Sequence, residues 1–287
     1  MKLRHEWRTV NGVRLHCVVA GSGPLIVLLH GFPEFWYSWR HQIPVLAEYF
    51  TVVAPDMRGY NDSDKPSKIK DYAVPTLVED VVQLIQSFGV ERAIVAGHDW
   101  GAAIAWETAM SRPDVVEKLI ILNVPHPRLF IQNLLTNPRQ MLRSWYTVFF
   151  QLPFLPELAI KANDYAAIEQ AFRGMAVHKD QFSDEVISQY KQAAAKPKAL
   201  TSAINYYRAA ARGGMSKLAA SGPIVPMPTL VVWGEQDAAL GKELNDHLDR
   251  YVPQLTLHFI PDASHWVQQD RPDLVNQYLL RFLTTTA

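Results

Sequence analysis

The sequence predicts an α/β protein: a mostly parallel, twisted β-sheet flanked by helices, with a helical segment inserted near the middle of the chain. Three observations predict it. Short runs of β-branched and apolar residues recur, and most are continuously apolar, as in strands buried on both faces of a parallel sheet. Amphipathic helical patterns separate the runs. The alternation stops after residue 124, resumes near Thr229, and leaves a proline-punctuated, aromatic-rich helical stretch between. Residues 1–124 and 225–287 are therefore expected to form one core, and residues 125–224 a helical lid over the sheet's carboxyl edge.

Seven candidate strands appear in order. "RLHCVVAG" (14–21) alternates and buries Cys17, the lone cysteine. "PLIVLLHG" (24–31), "TVVAPDMRG" (51–59), "RAIVAGHD" (92–99), "EKLIILNV" (117–124), "TLVVWGEQD" (229–237) and "LTLHFIPDASH" (255–265) follow. The clearest helix lies in "PTLVEDVVQLIQSFGV" (75–90). Thr76 and Glu79 have capping-box spacing, Val78, Val81, Val82, Ile85 and Phe88 form a stripe, and Gly89 closes it.

Composition excludes several classes. Lys plus Arg and Asp plus Glu both number 28, so no charge excess points to nucleic acid or an anionic membrane surface. A single cysteine cannot form an intramolecular disulfide and fits a reducing compartment. The start of the sequence shows no apolar signal core, and no apolar run approaches the roughly 20 residues that span a bilayer. The end, "FLTTTA", matches no lipidation or retention signal. The expected location is cytoplasmic, with no membrane and no nucleic-acid partner, as a monomer or homodimer.

In an open parallel sheet, ligands bind beyond the carboxyl ends of strands. In "AGHDWGA" a turn flanked by Gly97 and Gly101 encloses His98, Asp99 and Trp100 in the frame of a G-x-S-x-G nucleophile elbow, with aspartate in place of serine. Asp99 is either that nucleophile or a helix N-cap. Later strand ends carry Asp237, with Glu235 competing, and His265. Read in chain order, Asp99, Asp237 and His265 are nucleophile, acid and histidine. His98 and His30 read as structural. The histidines have no H-E-x-x-H or Cys/His spacing, so no metal is expected.

These motifs resemble the epoxide hydrolase branch of the α/β-hydrolase family over almost the whole chain. "HGFPEFWYSW" is similar to the family's H-G-x-P oxyanion loop. "DMRGYNDSDKP" is similar to its R-G-Y-G-x-S-x-x-P segment, except that Asn61 stands where glycine is usual. "GHDWG", "GEQD" and "ASHWVQQDRP" match the elbow, the acid turn and the histidine loop. "SWYTVFFQLP" and "INYYRA" resemble the two lid motifs that carry tyrosines donating to the epoxide oxygen. The resemblance assigns that role to Tyr146 and Tyr207, with Tyr206 a neighbouring competitor. It implies an α/β-hydrolase fold, no cofactor, and a small apolar epoxide and water as substrates.

A carboxylate suits an sp³ carbon. Serine would leave a stable ether, whereas aspartate leaves an ester that water can cleave. On this expectation Asp99 attacks the ring, Tyr146 and Tyr207 protonate the leaving oxygen, and His265 with Asp237 activates water. The backbone N–H groups of Phe32 and Trp100 then hold the oxyanion. Trp36, Phe149, Tyr206 and Trp266 are expected to line the substrate site, and the lid aromatics Trp145, Phe149, Phe150 and Phe154 to make it apolar. The rival is a haloalkane or haloacid dehalogenase using the same three residues, but a departing halide needs no proton and would leave both tyrosines without a role. A more remote rival is a non-catalytic small-molecule receptor on the same fold. A serine esterase lacks its G-x-S-x-G.

Overall fold

A computed structural model describes residues 2–213 and 224–284. One sheet of eight strands organises them, in the order β1-β2-β4-β3-β5-β6-β7-β8. The strands are β1 (Arg4–Val10), β2 (Val13–Ala20), β3 (Leu25–Leu29), β4 (Thr51–Pro55), β5 (Ala93–His98), β6 (Val116–Leu122), β7 (Thr229–Gly234) and β8 (Leu255–Ile260). β2 pairs antiparallel with both β1 and β4, and every pairing from β4 through β3 to β8 is parallel. The seven expected strands are present. β1 is an eighth that the apolar runs did not reveal, because this edge strand leaves most of its residues in water. Its signal was the Asn11-Gly12 pair, both at positive φ, which joins it to β2 as a hairpin.

Pleating divides each central strand between two cores. Val27, Leu29, Val95, Leu119, Ile121 and Val231 face α2 (Val74–Ser87) and α3 (Trp100–Ser111). Ile26, Leu28, Ile94, Ala96, Ile120 and Val232 face the opposite layer, which includes Ile43 of a short helix α1 (Gln42–Leu46) and Val275 and Leu279 of the C-terminal helix Pro272–Thr284. Burial on both faces is why these strands read as unbroken apolar runs.

The stripe expected on α2 is buried at Val78, Val81, Val82 and Ile85. Its start differs: Ala73 is the N-cap, Pro75 lies in the first turn, and Thr76 is inside the helix. Proline's fixed φ opens the helix two residues before the expected capping box.

Between β6 and β7 the chain is helical: α4 (Pro127–Thr136), α5 (Pro138–Arg143), α6 (Trp145–Phe149), α7 (Leu155–Arg173), α8 (Asp184–Ala195) and α9 (Ala199–Gly213). α7 is broken at Ala162–Tyr165, where three residues are left-handed. Phe172, Phe182 and Tyr190 stack as this segment's own core. Arg208 of α9, itself buried, donates to the carbonyls of Phe150 (3.1 Å) and Leu152 (2.8 Å) and pairs with the buried Glu157 (2.7 Å). That arginine ties α9 to the end of α6 and the start of α7. The last residues of the expected lid, 214–223, lie outside the described residues.

Candidate active site

The site assembles at the carboxyl ends of β3, β5, β7 and β8. β5 ends at His98 and α3 begins at Trp100, so Asp99 makes the whole turn, at φ 50° and ψ −123°. Its carboxylate caps no helix amide. Asp99 therefore holds the N-cap position of α3 while its side chain is free of any capping bond. A Cβ at Gly97 would meet Gly101, and one at Gly101 would meet the Leu29 carbonyl, so only glycines permit a turn this tight. A Cβ at Gly31 would meet the Asp99 side chain, which lets the β3 loop close over the carboxylate.

Phe32 donates its amide to Asp99 Oδ1 at 2.7 Å. Trp100 is the first residue of α3, and its N–H has no intrahelical acceptor. His265 Nε2 stands 3.4 Å from Asp99 Oδ2, and its Nδ1 donates to Asp237 Oδ2 at 2.7 Å. Asp237 Oδ1 accepts the amides of Ala239 and Leu240 at 2.7 and 2.9 Å. Glu235, the competing acid, pairs with Lys242. The three residues selected by strand-end order therefore stand in one line, joined by the His265–Asp237 hydrogen bond and the His265–Asp99 ion pair.

Electrostatics follow from that line. Burial pushes the His265 imidazole down, but the Asp237 carboxylate and then Asp99 outweigh it and hold it well above the usual range. Burial pushes the Asp99 carboxyl up, but His265, the charge of His98 and the Phe32 amide outweigh it and hold it below the usual range. Each group favours the charged form of the other.

Tyr146 on α6 and Tyr207 on α9 meet with ring centroids 6.0 Å apart, edge to face. Tyr207 also packs on Trp100 (5.0 Å) and Phe32 (5.6 Å), the residues bearing the two expected oxyanion amides. Burial, and next the Asp99 charge, raise both phenols above their ordinary value, so both keep their protons. Tyr206 is different. Its hydroxyl donates to the Arg58 carbonyl at 2.7 Å, and its ring sits among Tyr60, Tyr72 and Trp100.

The other residues expected to line the site have the following neighbours. Trp36 turns toward the sheet edge, with His5, Phe35 and Tyr37 as its ring neighbours among the described residues. Trp266 is buried behind His265 (5.0 Å), and its indole donates to the Ala171 carbonyl at 2.9 Å. Phe149 packs against Trp145 and Phe150. Only Phe150 of the four lid aromatics is buried and reaches Tyr207 and Phe32, while Trp145 and Phe154 are 65% and 77% exposed.

Two positioning residues escaped the sequence reading. Glu34, buried, accepts from the Gly31 amide (2.9 Å), His98 Nδ1 (2.8 Å), Gln268 (3.1 Å) and Gln269 (2.9 Å). It thus joins the loops before Phe32, before Asp99 and after His265, and His98 completes the brace by contacting the His265 carbonyl at 2.8 Å. An acid inside the aromatic run "GFPEFWYSW" was the available signal. Asn123, at φ 50° beyond β6, donates to Asp237 Oδ2 at 2.8 Å and accepts from the Gly234 amide at 2.9 Å. His30 is structural, accepting the Met57 amide and facing the Gly31 carbonyl, both at 2.9 Å. Asn61 sits at φ 37° and donates to Asp56 at 2.8 Å, so asparagine serves the left-handed turn where glycine is usual. Among the described residues, only His16, Asp56 and Asp62 cluster as metal ligands could, and His16 Nδ1 is already paired with Asp56 at 2.7 Å.

A family model described as the alpha/beta hydrolase fold matches residues 24–272. The chain is 44% identical over 281 residues to the AB hydrolase superfamily protein YfhM of Bacillus subtilis, covering 97% of each chain. It is 39% identical over 280 residues to epoxide hydrolase 4 of Mus musculus, covering 95% of this chain and 77% of that one. The crystal structure of a Bacillus megaterium epoxide hydrolase in complex with an inhibitor superposes with a TM-score of 0.91 at 32% identity, covering 98% of this chain and all of that one. An epoxide hydrolase from Vigna radiata superposes with a TM-score of 0.86 at 28% identity, covering 98% of each chain.

Proposed function

The chain belongs to the epoxide hydrolase branch of the α/β-hydrolase family, and from that premise we propose that it converts small apolar epoxides to vicinal diols through a covalent ester on Asp99. The observation that carries this reading is the pairing of Tyr146 and Tyr207 across from an elbow carboxylate whose charge acts on both phenols. The helices within residues 125–224 serve as the lid that delivers them, and Arg208 holds α6 and α9 together for the purpose.

In the first step an Asp99 carboxylate oxygen bonds to a ring carbon as the ring C–O bond breaks. The departing oxygen takes a proton from Tyr146 or Tyr207. General acid help of this kind is worth about 10²–10⁴-fold. A halide leaving group would need no such proton, which is why the dehalogenase reading is the weaker one.

In the second step water loses a proton to His265 Nε2 and bonds to the Asp99 carboxyl carbon. The oxyanion so formed receives the N–H groups of Phe32 and Trp100. Esterification itself prepares this step. In the resting site two carboxylates favour the charged imidazole. Once Asp99 is an ester, one of those charges is gone, and the His265 pKa falls toward the range of a working base. Collapse of the oxyanion expels the second diol oxygen, which takes a proton from His265, and the proton left on the Asp99 carboxyl returns through His265 to the tyrosinate of the first step, restoring the site.

The test is mass spectrometry of the His265→Gln variant after brief exposure to styrene oxide and a panel of alkyl epoxides. The peptide containing Asp99 is expected to gain the mass of the epoxide, and Asp99→Ala to gain nothing. No adduct on any epoxide would sink the two-step scheme.

A further inference from the structure

We propose that the outward face of α5, α6 and the start of α7 docks on the surface of an anionic lipid bilayer. Among the described residues, thirteen large apolar side chains are exposed, and nine of them lie between Leu135 and Leu158. Scattered exposure is ordinary, but concentration in one short segment marks an interaction surface. Leu142, Trp145 and Val148 recur at three-residue spacing and are 74%, 65% and 71% exposed. Phe154 and Leu158, four apart, follow at 77% and 64%. Trp145 and Val148 share one side of α6, Leu155 and Leu158 share one side of α7, and Leu142 and Phe154 flank them at the helix boundaries. Tyr146 lies between two of them and turns the other way, to Tyr207.

Charge selects the occupant. From 127 to 161 the chain carries Arg128, Arg139, Arg143 and Lys161 against one acid of its own, Glu157, and of these cations Arg143 also lies 3.9 Å from Glu243. Glu157 is buried and committed to Arg208. The zero net charge of the whole chain, which argued against a membrane surface, conceals this local excess. A twofold contact between two copies would set the same cations against one another. Lipid phosphates instead neutralise them while Trp145 and the leucines enter the headgroup boundary. Among the described residues no helix is long and apolar enough to cross a membrane, so the association is one of surface contact. It would hold the outer side of α6 against the phase in which apolar molecules collect, with Tyr146 on its inner side.

The test is sedimentation of the full chain with vesicles of phosphatidylcholine alone, or with about one-third phosphatidylglycerol, without epoxide present. The wild-type chain is expected to pellet with the anionic vesicles and to be released by raised salt. Leu142→Ser/Leu158→Ser is expected to lower the bound fraction at least about tenfold. Arg139→Glu is expected to weaken binding to the anionic vesicles. Unchanged melting and unchanged turnover of a water-soluble epoxide show that these variants fold. The proposal is overturned if the wild-type chain ignores both vesicles or if the double serine variant binds as well as it does. It is equally overturned if the face instead forms a dimer that the serines dissolve. Because binding is read without catalysis, its failure would leave the Asp99 scheme standing.

Discussion

Asn123 donates to the same Asp237 oxygen that accepts His265 Nδ1, at 2.8 and 2.7 Å respectively. The amide therefore fixes the acid from the side of β6 while it holds Gly234 at the end of β7. Asn123→Ala removes both bonds, leaves the buried Gly234 N–H without its acceptor, and replaces asparagine, which tolerates a left-handed φ, with a residue that tolerates it less. The expected loss is about 2–4 kcal/mol of stability, read by chemical denaturation. Turnover is expected to fall as well, because Asp237 loses a fixed orientation. A variant with wild-type turnover and stability would show that Asp237 needs no such clamp.

The adjacent tyrosines should separate cleanly. Tyr206→Phe loses one buried bond to the Arg58 carbonyl, worth about 1 kcal/mol, and is expected to leave turnover close to normal. Tyr207→Phe or Tyr146→Phe is expected to slow Asp99 alkylation by about 10²-fold, and the double change by more. Pre-steady-state quenching on one epoxide decides it. Equal rates for the Tyr206 and Tyr207 variants would remove the distinction.

Arg208 is expected to act on both stability and catalysis. Arg208→Leu leaves Glu157 charged and buried, at a cost of about 3–5 kcal/mol. Adding Glu157→Leu should recover much of the stability. It should not restore ring opening, because the bonds to the Phe150 and Leu152 carbonyls remain lost and α6 is no longer tied to α9. Melting temperatures and alkylation rates of the single and double variants test the two halves separately.

His265 and Asp99 set opposite pH dependences. Despite burial, Asp237 and Asp99 hold the His265 pKa well above its ordinary value. That contribution is complete below the unfolded pKa of about 6.5 and is lost as pH rises through the folded one. Asp99, held low despite burial chiefly by His265, contributes above its unfolded pKa, and this is lost as pH falls through the folded value. Wild-type unfolding free energy is therefore expected to fall more steeply on the alkaline side than that of His265→Gln. Parallel curves would contradict the charge assignment.

Glu107 on α3 supplies a control away from the site. Burial pushes its carboxyl up to about 7, and its Oε2 is buried without a hydrogen-bond partner. Wild-type stability should thus decline as pH rises from the unfolded value toward 7. Glu107→Gln is expected to be more stable than the wild-type chain at pH 8, on the order of 1 kcal/mol, with little difference near pH 4.

What could be read along the chain was whatever neighbouring residues decide together. The apolar runs identified β2 to β8, because a strand buried on both faces has no polar alternative. β1 was missed because an edge strand tolerates arginine, glutamate and threonine. The elbow was legible in "GHDWG", since the crowding at Gly97 and Gly101 is local. The order of Asp99, Asp237 and His265 was legible because each follows its own strand.

The remainder depended on which way side chains far apart in sequence turn. Adjacent Tyr206 and Tyr207 look alike in "INYYRA", yet successive helix positions point about 100° apart, so one binds Arg58 and the other faces the site. Trp145 and Phe154 resemble pocket walls in composition but face outward. Glu34 and Asn123 acquired their partners only when three or four loops converged at one sheet edge. Local pattern was enough for the sheet, the aspartate elbow and the candidate residues at the strand ends. The partners of Tyr206, Tyr207, Trp36, Glu34 and Asn123 came only with the tertiary structure, because burial and hydrogen bonding at those positions involve residues tens to hundreds of positions away.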